Sequence, residues 1–163
     1  MSAEITTKGK KLLESYNSNL IFRLVMLRKL PSIFFWGVRV SHLDKDSCAV
    51  TVPYKWTSQN PFKSIYFSAL AGTAELSTGA LVQVYLSGRG KYSMLVTRFE
   101  MDFVKKAKTM TTFSCTQGKE IAEAVANEEN VGGGQAFVLE TEGKNKEGEV
   151  VARAKIQWSI KKK

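Results

Sequence analysis

From Lys63 to Leu86 the chain reads KSIYFSALAGTAELSTGALVQVYL, and between Ser64 and Leu86 it carries one charge, Glu75. Such a segment has few places to go. As a helix, Ile65 to Leu86 would run roughly 33 Å at ~1.5 Å per residue, enough to cross a bilayer. Its composition argues against that. Ser68, Thr73, Glu75, Ser77, Thr78 and Gln83 are scattered along it, and the flanking sequence alternates polar and apolar residues as half-buried strands do. A helix that is apolar nearly all round and does not span a membrane is a core helix, to be covered on every side by the rest of the chain. The remaining sequence must therefore supply a wrapper.

It supplies strands. In the last run, EVVARAKIQWSI, Val150, Ala152, Ala154, Ile156, Trp158 and Ile160 alternate with Val151, Arg153, Lys155, Gln157 and Ser159, the pattern of an antiparallel strand with one buried face. QAFVLETEG precedes it across the turn KNKEG. YSMLVTRFEMDF is expected to place Leu95, Phe99, Met101 and Phe103 on one side. TMTTFSCTQ groups Phe113 with Cys115, and SCAVTVPY groups Cys48, Val50 and Val52. IFFWGVRVSH also alternates, which predicts a strand with Phe34, Trp36, Val38 and Val40 on one face, joined to its neighbour by the turn LDKD. KEIAEAVANEEN predicts a short amphipathic helix stopped by Gly132–Gly134. At the N-terminus, one helix or two short ones run to Pro31, with Leu12, Leu13 and Tyr16 facing the core and Leu20, Leu24 and Leu27 continuing that face. The expected fold is α+β. The 163 residues form one domain, 1–163, with a helical segment at 1–31 and a frayed basic tail at 161–163.

Twenty-four Lys and Arg against fifteen Asp and Glu give a net charge of +9. That balance serves solubility and would also suit an acidic partner, coenzyme A included. Nucleic acid would rest on charge alone, because the aromatic residues fall on core faces rather than among the basic clusters. The two cysteines, Cys48 and Cys115, lack any short Cys-x-x-Cys spacing and His42 is the single histidine. No metal site is expected, and both thiols read as small buried hydrophobes. Without a signal-peptide pattern, a reducing cytoplasm is the expected location. His42, beside a turn, is expected to be solvated, and Ser68 and Ser77 have no histidine partner with which to form a triad.

Ser68, Gly72, Glu75 and Gly79 follow one another at steps of four, three and four, so they share a helix face, and Glu75 is the one large side chain on it. Glycine inside a helix costs about 1 kcal/mol relative to alanine. Two of them imply a close approach by a sheet backbone, a partner helix or a ligand. Glu75 has two readings: a carboxylate paired at a subunit contact, or a polar group in a glycine-lined slot that orients a water or accepts a proton.

A long apolar helix bracketed by hairpin-connected strands resembles the hotdog fold, an antiparallel sheet wrapped around a central helix. NPFKSIYFSALAGTAELSTGA is similar to the central-helix region of PaaI-like hotdog thioesterases, in particular an uncharacterised branch of unknown function. The element order matches from Ile33 to Ile160. The resemblance implies a homodimer, often a dimer of dimers, with sites at the subunit interface. It implies an acyl-coenzyme-A thioester or fatty acyl ligand, coenzyme A entering only as part of the substrate. An acid on the helix would orient water, and a backbone amide at the helix start would polarise the thioester carbonyl. The catalytic candidates are Glu75 and Asn60, and the binding candidates are Gly72, Gly79, Ser68, Arg89 and Lys91. One departure stands out. Phenylacetyl-coenzyme-A-type members carry His-Gly-Gly at the helix start, where this chain has Lys63-Ser64-Ile65, and aligning Leu70-Ala71 with them puts Gly72 at the position of their acid. The alternative is a non-catalytic acyl or lipid binder on the same fold.

Overall fold

The computed structural model describes residues 2–163. Helices α1 (Thr7–Asn17), α2 (Asn19–Lys29) and α3 (Pro31–Trp36) lead into β1 (Arg39–Leu43) and β2 (Cys48–Val52). The central helix α4 (Phe67–Leu86) follows, then β3 (Tyr92–Phe103), β4 (Thr111–Cys115), α5 (Gly118–Val131), β5 (Gln135–Lys144) and β6 (Val150–Lys162). The six strands form one antiparallel sheet in the order β1-β2-β4-β5-β6-β3. Among the described residues no helix is long and apolar enough to cross a membrane.

The sheet wraps α4 on one side, while α1, α3 and α5 close the other. Ala69, Leu70, Ala74, Leu76, Ala80, Leu81, Val82 and Val84 are all buried, which is what an all-round apolar helix requires. Three of its polar residues, Thr73, Ser77 and Thr78, bond to carbonyls of their own helix, and two of them also meet the sheet. The Ser77 and Thr141 hydroxyls lie 2.8 Å apart, and Trp158 Nε1 donates to Thr78 Oγ1 at 2.9 Å. Thr6 caps α1 by accepting from Gly9 N at 3.0 Å and donates to the Ser87 carbonyl, which fixes α1 against the C-terminal end of α4. Cys48 and Cys115 face each other across β2 and β4, both buried. Burial pushes the Cys115 thiol up to about 11 and that of Cys48 further still, so both are packing groups at neutral pH.

Four expectations are corrected. Phe34 and Trp36 lie on a short helix, not a strand: Pro31 opens it at a first-turn position and Gly37 closes it in the left-handed conformation, φ 74°. The shared face of Leu20, Leu24 and Leu27 points outward, at 70%, 59% and 44% exposure, while Phe22 and Met26 are buried beneath it. In β3, a bulge between Val96 and Arg98 reverses the alternation. Leu95 therefore sits opposite Ser159 on the outer face, whereas Phe99, Met101 and Phe103 pair with Ile156, Ala154 and Ala152 of the inner one. The C-terminal lysines are not a tail: Lys161 and Lys162 belong to β6, and Lys163 N donates to the Lys91 carbonyl at 2.9 Å.

Candidate functional site

The stripe on α4 is where the sequence concentrates chemistry, and both of its glycines have a specific occupant. A Cβ on Gly72 would lie 3.1 Å from the Trp36 ring and 3.6 Å from Ile33, both on α3. A Cβ on Gly79 would lie 3.0 Å from the Trp158 ring and 3.1 Å from Glu75 Oε1. Two indoles, one from the N-terminal helices and one from the last strand, fill the space that the missing side chains leave. Gly72 and Gly79 were expected to make room for a ligand or a partner. In this protomer they make room for tryptophans.

Glu75 lies between them. Its side chain is partly buried, and among the described residues no hydrogen-bond donor or cation reaches its carboxylate. Burial holds its pKa above the usual carboxylate range. Burial of a carboxyl without a charged partner is one way proteins raise the pKa of an acid. About two turns further along, Tyr16 of α1 donates to Gln83 Oε1 at 2.5 Å. Burial, then the nearby Cys48 and Glu75, push the Tyr16 hydroxyl up to about 12, so it stays a donor throughout the physiological range.

The other candidates are dispersed. Asn60 builds the loop before α4: its Oδ1 accepts from Phe62 N at 2.9 Å and Ser64 N at 3.2 Å, and its Nδ2 donates to Ser64 Oγ at 3.0 Å. That loop holds Lys63 at φ 58°, a left-handed conformation that a tight turn must stabilise. Asn60 and Ser64 also line a cavity of about 390 Å³ with Phe67, Leu70, Phe103 and Lys106, beside the first turn of α4. Tyr66 precedes that turn with no side-chain cap, and among the described residues the amides of Phe67 and Ser68 have no acceptor, which leaves two donors at the positive end of the helix. Ser68 is half-buried there.

Arg89 and Lys91 lie at the opposite end of α4, roughly 30 Å away at ~1.5 Å per residue. Arg89 is fully engaged: Nε donates to the Tyr85 carbonyl at 2.8 Å, one terminal nitrogen to Glu129 Oε2 at 2.6 Å and the other to the Glu4 carbonyl. It staples α4, α5 and the N-terminal segment, so the expected phosphate contact is corrected to a structural one. His42 pairs with Asp44 at 3.0 Å in the β1–β2 turn. A larger cavity of about 670 Å³ opens between the N-terminal segment, that turn and α5, and none of the candidate residues lines it.

Sequence reasoning missed Trp36, Tyr16 and Glu128. Glu128 is 2% exposed, and its two oxygens accept from Gly134 N and Lys162 N, each at 2.9 Å. No local signal marks it, because both donors come from other elements.

A six-stranded antiparallel sheet wrapped around a long central helix defines the hotdog fold. The chain belongs to the family described as a domain of unknown function, DUF4442, whose model matches residues 18–160. Solved structures share the fold. A Pseudomonas aeruginosa protein of unknown function, PA5026, described as a probable thioesterase, is 19% identical and superposes with a TM-score of 0.75, covering 93% of this chain and 94% of its own. OLEI01261 of Chlorobaculum tepidum, also of unknown function, is 18% identical with a TM-score of 0.75, covering 95% and 94%. The thioesterase HI1161 of Haemophilus influenzae is 13% identical with a TM-score of 0.68, covering 98% and 94%. No curated protein matches.

Proposed function

We propose that the protein binds an acyl thioester of coenzyme A between two copies of the chain and hydrolyses it, with Glu75 orienting the attacking water. One observation carries this reading: Glu75 is a partly buried carboxylate on the central helix, its pKa raised by burial, with no hydrogen-bond or ion-pair partner among the described residues. Proteins seldom keep such a group without a use for it, because burying an unpaired acid is costly.

The unpaired amides of Phe67 and Ser68 are suited to polarise a thioester carbonyl. Glu75 lies some 12 Å further along the helix at ~1.5 Å per residue, too far to act on the same carbonyl within one protomer. The two groups would meet only across an interface. The twelve-residue strand β3, an edge of the sheet with Leu95, Phe99 and Phe103 exposed, is suited to form one. Lys106, in the cavity at the helix start, replaces Arg89 as the basic group best placed for coenzyme A phosphates. The test is turnover of short, long and aromatic acyl-coenzyme-A substrates by the wild type and by Glu75→Gln. Loss of turnover in the variant is expected. Equal rates would remove Glu75 from the mechanism, and no turnover on any substrate would remove the hydrolase reading.

A second reading, an acyl binder without chemistry, is favoured by two features. The helix start lacks the His-Gly-Gly of the phenylacetyl-type enzymes, and Trp36 and Trp158 occupy both glycine notches. Native mass spectrometry of the purified protein separates the two: a retained acyl group without turnover supports the binder, and an empty protein refutes it.

A further inference from the structure

The outward stripe of α2 has no occupant in the fold. Leu20, Leu24 and Leu27 recur at i, i+4 and i+7, which places them on one face of the helix, opposite the buried Phe22 and Met26. At 100° per residue Arg23 and Arg28 flank this stripe, one on each side, while Lys29, in the last turn, falls on the opposite side of the helix. The apolar surface continues at α3. Phe35 is exposed there, and Thr57 Oγ1 donates to its carbonyl at 2.6 Å, which ties the loop carrying Trp56, 83% exposed, to that helix. Arg23 stacks on Phe34 with its guanidinium 5.0 Å from the ring centroid.

The charge of this face is of one sign. No Asp or Glu occurs between Glu14 and Asp44, nor between Asp46 and Glu75, while Arg23, Arg28, Lys29, Arg39, Lys55 and Lys63 fall in those intervals. The ion pairs of the molecule lie elsewhere, on β3, β5, β6 and the ends of α4 and α5, with His42–Asp44 at the β1–β2 turn. Arg23, Arg28, Lys29, Arg39 and Lys55 make none among the described residues. Burial, then the nearby Arg23 and Arg39, lower the Lys55 pKa, which groups these three cations around one spot, with Arg28 on the far flank of the same helix as Arg23.

We propose that this face docks the protein on an anionic lipid bilayer, with α2 lying in the interfacial plane, its leucines and Trp56 among the acyl chains and its arginines at the headgroups. Each candidate occupant makes a different demand. A second copy meeting this face symmetrically would bring the cations of one copy toward those of the other with no carboxylate between them. Nucleic acid would match the charge but leave three exposed leucines and a tryptophan without a use. A bilayer with anionic headgroups matches both the apolar stripe and its basic rim. The inference stands whether or not the protein hydrolyses thioesters.

The experiment is co-sedimentation of the full chain with phosphatidylcholine vesicles containing roughly one-third phosphatidylglycerol, at low and near-physiological salt. Binding is expected, at least tenfold stronger than to pure phosphatidylcholine and weakened by salt. Each cationic side chain at such a surface contributes about fivefold, so Arg23→Ser with Arg28→Ser should weaken binding about 25-fold. Leu20→Ser with Leu24→Ser should weaken it at least tenfold without changing the melting temperature, because both residues are exposed in the fold. Absence of binding to the anionic vesicles at low salt would overturn the proposal. So would binding that ignores the leucine pair but falls when Lys161–Lys163 are replaced by serine. Sedimentation velocity supplies a third outcome against it: an oligomer that dissociates on Leu20→Ser with Leu24→Ser would make the stripe a contact between copies.

Discussion

Replacing Glu128 with alanine tests whether the closure of the fold is understood. Glu128 sits in the third turn of α5, and its own carbonyl accepts the cap bond from Gly132 N at 3.0 Å. Its side chain then reaches past the turn of Gly132, Gly133 and Gly134, all at positive φ, to take Gly134 N on one oxygen and Lys162 N on the other. One carboxylate thus ties the end of a helix to the start of β5 and the end of β6. Hydrogen bonds to a charged acceptor contribute about 1.5–3 kcal/mol each, so removing two should cost about 3–6 kcal/mol. For a domain of this size that lowers the melting temperature by roughly 6–24 °C, at about 2–4 °C per kcal/mol. Glu128→Gln keeps one acceptor and turns an amide NH2 toward the other N–H, so about half the loss is expected. Thermal and urea unfolding of the three proteins give the comparison. A change below about 1 kcal/mol in the alanine variant would mean that solvent replaces both bonds and that the clamp is not structural.

Three further outcomes follow from the site and the core. Gly79→Ala gains about 1 kcal/mol of helix propensity but must displace the Trp158 ring, pinned through its Nε1, at a cost of about 1–3 kcal/mol; net destabilisation with altered tryptophan emission is expected, and a more stable variant would mean the ring is free to move. Burial raises the Glu75 pKa from its ordinary 4.5, so the folded chain binds that proton more tightly and stability falls as pH rises from the unfolded value through the folded one. Glu75→Gln should match the wild type below pH 4.5 and exceed it toward neutrality, and parallel melting curves across the pH series would refute this. Cys48 and Cys115 should resist a thiol reagent in the native state and react together on unfolding; fast labelling of either would contradict their burial.

Where the sequence was legible, a single local pattern decided the structure. The central helix follows from a segment that is apolar on every side, and β6 from the strict alternation of Val150 to Ile160. Where it was not, two readings were locally equivalent. Helix α2 is apolar on both faces, so periodicity groups Leu20, Leu24 and Leu27 together but does not say whether they or Phe22 and Met26 meet the core. The Leu95 side of β3 was misassigned because one extra residue near Thr97 inverts every side chain beyond it. Phe34 and Trp36 alternate as strand residues would, yet Pro31 and Gly37 were available as start and stop signals for a helix. The notches at Gly72 and Gly79 were visible as a spacing. Their occupants were not, because Trp36 and Trp158 arrive from 36 positions before the one and 79 after the other.

That packing changes what the acid on α4 must do to be useful. With Trp36 and Trp158 in the notches, neither glycine leaves room for a ligand beside Glu75 within one protomer. A carboxylate acts as a base only when ionised, and a base works best when its pKa approaches the working pH. Burial shifts Glu75 in the direction a general base needs, and the same burial costs stability. Both effects follow one proton. The ascending limb of the pH–rate profile for thioester hydrolysis should fall in the pH range where wild-type stability declines relative to Glu75→Gln, allowing for the shift that bound substrate adds. A rate that rises over a different range would assign the catalytic proton to another group. Acyl binding that is flat through that range, without turnover, would leave Glu75 as a buried acid tolerated beside a binding site.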